Sequence, residues 1–122
     1  MKTEIKWLAD VEDKDYLAAA SYLSLLYDES TAAKYVEQLK KVRMSNFKAK
    51  DIFRASGLSL LGISNSHVEH DREKIRAGHS LSPLLLVRPS DHQRVIIADG
   101  YHRVCAVYSF DEDAVIPCKI VS

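Results

Sequence analysis

The chain has 122 residues, with 17 Lys and Arg against 17 Asp and Glu and a formal net charge of zero. That length suits one domain with a core of its own, needing neither disulfide nor metal staple. The balance of charge excludes a protein built mainly to coat nucleic acid or an anionic membrane. The hydrophobic share of 47% and the charged share of 28% are those of an ordinary globular chain. Cys105 and Cys118 form no CxxC pair, and no apolar run approaches the ~18 residues of a membrane span. With no signal-peptide pattern before the first charged segment, a cytoplasmic protein with reduced thiols is expected.

Met1 to Asp10 is short, with Ile5, Trp7 and Leu8 as its main apolar content. From Asp15 the pattern turns helical: Tyr16, Ala19, Ala20, Leu23, Leu26 and Tyr27 recur at spacings of three and four. Asp28-Glu29-Ser30 interrupts, and Asp28 or Ser30 can cap a second helix whose stripe is Ala32, Tyr35, Val36, Leu39 and Val42. So short a link predicts an antiparallel pair. "SNFKAKDIFRASG" reads as a short helix capped by Ser45 or Asn46 and ending at Gly57, with a strand as the alternative. "LSLLGISNSH" reads as a loop, and "HVEHDREKIRAGHS" as a polar helix ending at Gly78.

The C-terminal half is plainer. Pro83–Val87, Arg94–Ala98 and Val115–Val121 are predicted strands of one sheet, and Tyr101–Phe110 a helix packed on it. "SDHQ" is the expected turn between the first two strands. The expectation is an α+β single domain over 1–122. A helical N-terminal extension of about 1–57 and a sheet-containing core of about 67–122 share one interior.

The corner "ADGYHR" carries the chemistry. Where a strand gives way to a helix, the first helical N–H groups lack partners and lie at the positive end of the dipole, so an anion is welcome there. Gly100 permits a tight turn and close approach by a ligand. Arg103 can grip phosphate oxygens with two N–H groups, and His102 can donate a hydrogen bond and exchange a proton near neutral pH. Asp99 is the odd member: it caps the helix, binds a cation or acts as a base. In the blander reading, Asp99 caps the helix, and His102 and Arg103 are solvated first-turn residues. On the phosphate reading Arg103 is expected to sit at the surface and to matter little for stability. The alternative is a structural arginine paired inside the protein with Asp99 or Glu112, which goes with a corner that holds no ligand.

"DREKIRAGHSLSPLLLVRPSDHQRVIIADGYHRVCAVYSFDEDAVIPCKIV" resembles the ParB/sulfiredoxin superfamily domain. The likeness lies in the order polar helix, "PLLLV" strand, hairpin, "DGYHR" corner with its helix, and closing "IPCKIV" strand. It covers roughly Asp71 to Val121, under half of the chain. In sulfiredoxins the similar corner reads Gly-Cys-His-Arg. There the His and Arg contact ATP phosphates, and the Cys is the nucleophile. ParB proteins bind nucleotide phosphates through a corresponding box, and free-serine kinases use a similar His-containing loop. The resemblance therefore implies a small mixed sheet with packed helices and ATP or another nucleotide as ligand; Mg²⁺ is the ion that Asp99 can hold beside it. Gly100, Tyr101, His102, Arg103 and Lys74 are the implied phosphate-binding residues, and Asp99 and His102 the candidate catalytic groups. Arg76 is a further phosphate candidate on the polar helix. Tyr101 stands where sulfiredoxins carry the cysteine, so sulfinic-acid reduction is not expected. Ser122 follows the closing strand directly, so the helix-turn-helix and dimerisation parts of chromosome-partitioning relatives are expected to be lacking.

Other clusters carry weaker signals. His67 and His70 have i, i+3 spacing, yet imply no fixed geometry, and no metal site is expected. Glu69, Asp71 and Glu73 can supply a base or join Asp99 around Mg²⁺. Lys34, Lys40, Lys41, Arg43, Lys48, Lys50 and Arg54 make the middle basic, either as a solvated face or as a weakly supported nucleic-acid patch. Three readings of function stand side by side. One is a nucleotide-dependent enzyme. Another is a non-enzymatic regulatory or interaction module, related to chromosome-partitioning proteins. The third is an interaction protein whose corner holds no ligand.

Overall fold

The computed structural model describes residues 3–90 and 94–122. The elements run α1 (Asp13–Leu26), α2 (Glu29–Lys41), β1 (Met44–Lys48), α3 (Ala49–Ser56), α4 (Ser66–Arg76), β2 (Leu84–Val87), β3 (Ile96–Asp99), α5 (Tyr101–Phe110) and β4 (Val115–Val121). The sheet order is β1-β4-β2-β3; β2 and β4 are parallel, and the other two pairings are antiparallel. This is the α+β class expected, with a mixed sheet.

Alternation along the strands sends side chains to two interiors. Leu84, Leu86 and Ile97 join Ile52, Phe53, Val68, Ile75, Val104 and Val107 on the α3–α4–α5 side. Leu85, Val87 and Ala98 join Val11, Tyr16, Ala19, Leu23, Val36 and Leu39 under α1 and α2. A strand with period-two side chains, apolar on both faces, must be covered on both. That explains the unbroken "LLLV" of β2, buried throughout, and makes the N-terminal helices the second cover of the sheet.

Local signals behave as the chemistry predicts at several joints. Asp28 caps α2, accepting from the Thr31 N–H at 2.7 Å. Gly57 ends α3 in the left-handed region at φ +67°. The segment offered as helix or strand contains both: Ser45 and Asn46 cap nothing, because they pair with Cys118 and Pro117 as part of β1. The sheet therefore draws on the chain before Gly57 as well as after it. β3 runs from Ile96 to Asp99, not from Arg94, and the "SDHQ" turn falls largely on residues 91–93, outside the described residues. Among the described residues, no helix is long and apolar enough to cross a membrane.

Cys105 and Cys118 are free and fully buried. Burial pushes both thiols up, Cys118 to about 12. Alkylation of either thiol under native conditions should accordingly wait on global unfolding and speed up steeply with urea. Rapid labelling of Cys105 in the folded protein would contradict this placement.

Candidate functional site

The corner between β3 and α5 is built around Gly100. Its φ is +110°, and a Cβ there would lie 2.7 Å from Leu84 Cγ and 2.9 Å from Arg103 Nη2. Only glycine takes this turn comfortably. Gly100 is the N-cap of α5 and offers no side chain, and the first turn of α5 contains no acid. Its positive end is thus unmatched by any capping group. Asp99 does not cap the helix, as the sequence had suggested, because its carboxylate is held elsewhere.

It is held by Arg103. The guanidinium donates from Nη2 to Asp99 Oδ2 at 2.8 Å and from Nη1 to Asp15 Oδ2 at 3.0 Å. The three side chains are 14%, 19% and 7% exposed for Arg103, Asp99 and Asp15. Arg103 Nε is buried and has no partner. Arg103 is therefore an inward ion-paired residue, not the solvated surface residue expected on the phosphate reading. Asp99 sits under opposing influences. Burial raises its pKa, Arg103 lowers it and Asp15 raises it again, with a net upward shift.

Around this triad lies a polar cavity of about 210 Å³. Its wall carries four carboxylates (Glu12, Asp15, Asp71, Asp99) and three permanent cations (Lys14, Lys74, Arg103), with Ser80, Ser82, Tyr101 and His102 among the rest. Lys74, in the last turn of α4, is the sequence-nominated cation that does reach the cavity. Arg76 is not on this wall; it donates twice to Glu69 at 3.1 Å and lies over the Phe110 ring. Glu69 also accepts from Arg72, which leaves it tied to its own helix. Glu73 and His70 are exposed and off the wall. The Tyr101 hydroxyl donates to the Ser59 carbonyl, which turns the phenol toward the 57–65 loop.

His102 has a neighbour that the sequence did not pair with it. Its ring centroid lies 4.9 Å from that of His67. Burial and His67 lower its pKa, and Asp71 opposes them. His70 is exposed, and among the described residues no three His, Cys, Asp or Glu side chains converge as a metal-holding group. A second cavity, of about 440 Å³, shares Asp99, Gly100, Tyr101 and His102 with the first and continues past Ala18, Tyr22, Leu58 and Ile97. The basic middle of the chain is spread over α2, β1 and α3. Lys40, Lys48, Lys50 and Arg54 there meet Glu37, Asp113, Asp113 and Asp51.

No family model matches the chain, and comparisons with curated proteins and with solved structures find no match.

Two outcomes follow from this geometry. Arg103→Ala leaves two largely buried carboxylates facing each other, so urea denaturation should register a loss of about 3–5 kcal/mol; a loss under ~0.5 kcal/mol, as for a surface residue, would contradict the burial. The His102 ring should titrate below the ordinary 6.5 in an NMR pH series. With the folded-state value depressed, its contribution to stability is full above the unfolded value and is lost as pH falls through the folded one. A midpoint at or above 6.5 would contradict the site as described.

Proposed function

We propose that the chain is a ParB/sulfiredoxin-like domain that binds a nucleotide or another phosphate ligand at the Asp99–Arg103 corner. One observation carries the reading: the uncapped first turn of α5 opens into a polar cavity shared with Lys74, Lys14 and His102. Backbone N–H groups of Tyr101, His102 and Arg103 are the first contacts for phosphate oxygens. Lys74 adds a point charge from α4, and His102 a hydrogen bond. The larger adjoining cavity, with Tyr22, Leu58 and Ile97 on its wall, suits the ring of a nucleotide better than free phosphate does.

Asp15 and Asp99 are paired with Arg103 and Glu12 with Lys14, so Asp71 is the wall carboxylate that best suits a cation arriving with the ligand. Mg²⁺ needs one or two protein carboxylates when phosphates supply its other oxygens. Mg²⁺ bound there would neutralise phosphate charge. The donor set thus fits a magnesium nucleotide.

Among enzymes, the corner fits phosphoryl chemistry with His102 or Asp99 as the proton-handling group. It does not fit sulfinic-acid reduction, because Tyr101 offers no thiol and Cys105 is buried. The second reading, a nucleotide-responsive regulatory module, is favoured by the N-terminal helical layer, which shares Asp15 with the site. Two buried, reduced cysteines accord with a cytoplasmic setting.

A thermal-shift screen with ATP, ADP, CTP and GTP, each with and without Mg²⁺, tests the proposal. At least one nucleotide should raise the melting temperature, more so with Mg²⁺, and Lys74→Ala should weaken that ligand roughly tenfold or more. Product analysis of the hit separates enzyme from module. Flat melting curves across the set would contradict nucleotide binding.

A further inference from the structure

Arg103 is the side chain best suited to a phosphate and the one least able to reach it. An arginine fork grips an anion with two parallel N–H groups. Here Nη1 and Nη2 are divided between Asp15 and Asp99, and Nε is buried without a partner. The two carboxylates differ in origin. Asp99 precedes Arg103 by four residues across the Gly100 turn. Asp15 comes from the first turn of α1, 88 residues away in sequence and on the opposite side of the sheet.

We propose that Asp15 is an internal anion that occupies Arg103 in the free protein, and that a phosphate ligand at the first turn of α5 takes its place. Binding then frees the first turn of α1 from α5. This rests on the phosphate reading of the corner, and it adds that the N-terminal helical layer senses the ligand.

At Arg103 the exchange keeps the number of charge-assisted bonds, while the Asp15 carboxylate, 7% exposed, must turn out to water. A carboxylate and a phosphate both offer oxygens to the same Nη1 group, so one charge-assisted bond replaces another. A phosphate can in addition accept from the α5 N–H groups, to which Asp15 makes no hydrogen bond. The cost of displacing Asp15 is taken from the ligand's apparent affinity, because only the opened fraction of the protein binds through Arg103. The rest of the α1 start stays anchored, since the Glu12 N–H donates to Ser82 Oγ at 3.1 Å. The freed part is therefore the Asp15 side chain and its turn, not the whole helix.

Asp15→Asn removes the competing charge at nearly constant shape. Inorganic phosphate and ATP with Mg²⁺ serve as probes, followed by calorimetry and by amide NMR shifts. Asp15→Asn should bind the better probe about tenfold more tightly than the wild type. Glu12→Gln removes a carboxylate from the same wall without freeing Arg103, and should gain far less. In the wild type, ligand should also shift the amides of residues 13–16 along with those of α5. Equal gains for the two variants, or no gain for Asp15→Asn, would overturn the proposal while leaving the phosphate reading intact. Should Asp15→Asn fold poorly, the wild-type amides decide: shifts confined to α5 overturn it. Absence of binding by the wild type and both variants overturns the phosphate reading and this proposal with it.

Discussion

A single guanidinium joins the two helical layers around the end of β3. Arg103 belongs to α5, on one side of the sheet, and its partner Asp15 belongs to α1, on the other. Two other features of the corner are arranged with respect to that link. Asp99 completes the pairing, so it is unavailable as a helix cap. Gly100 must be glycine in part because Arg103 Nη2 lies where a side chain would begin. Breaking the link would leave two carboxylates in a half-dry site, a costly arrangement at neutral pH.

The same economy explains why the corner looks built for an anion. A helix start normally carries a capping side chain or an acid in its first turn. α1 follows that habit with Asp13 and Asp15, and α2 does so with Asp28 and Glu29. α5 has neither cap nor acid, and places His102 and Arg103 in its first turn instead. The dipole end is left to whatever occupies the cavity. The carboxylates that line the cavity keep the site from being a simple basic pocket. On the proposed reading they suit a ligand that brings both negative oxygens and a cation.

Much of the fold is legible in the residues because periodicity there is strong. "LLLV", "VIIAD" and "AVIPCKIV" read as strands, and "YHRVCAVYSF" as a helix, since each is long or apolar enough to declare itself. β1 is harder to see. "MSNFK" is a half-polar edge strand, mostly exposed, that pairs along one side with β4 and runs straight into α3. Its pattern carries neither the alternation of a half-buried strand nor the stripe of a helix. At the site, local sequence suffices for Gly100 and for the i,i+4 relation of Asp99 to Arg103. It fails for Asp15 with Arg103 and for His67 with His102, because these contacts join segments that only the packing of α1 and α4 brings together. A buried-looking acid at Asp15, beside Tyr16 on an otherwise apolar helix face, is the sequence feature from which the first of these was recoverable.

A crystal structure of the chain grown with ATP and Mg²⁺ bears most directly on the central claim. A phosphate oxygen is expected within hydrogen-bond distance of the His102 or Arg103 backbone N–H, with the Lys74 ammonium on the same phosphate group. A nucleotide found with its phosphates elsewhere on the surface, or crystals in which saturating nucleotide leaves the corner without one, would contradict it.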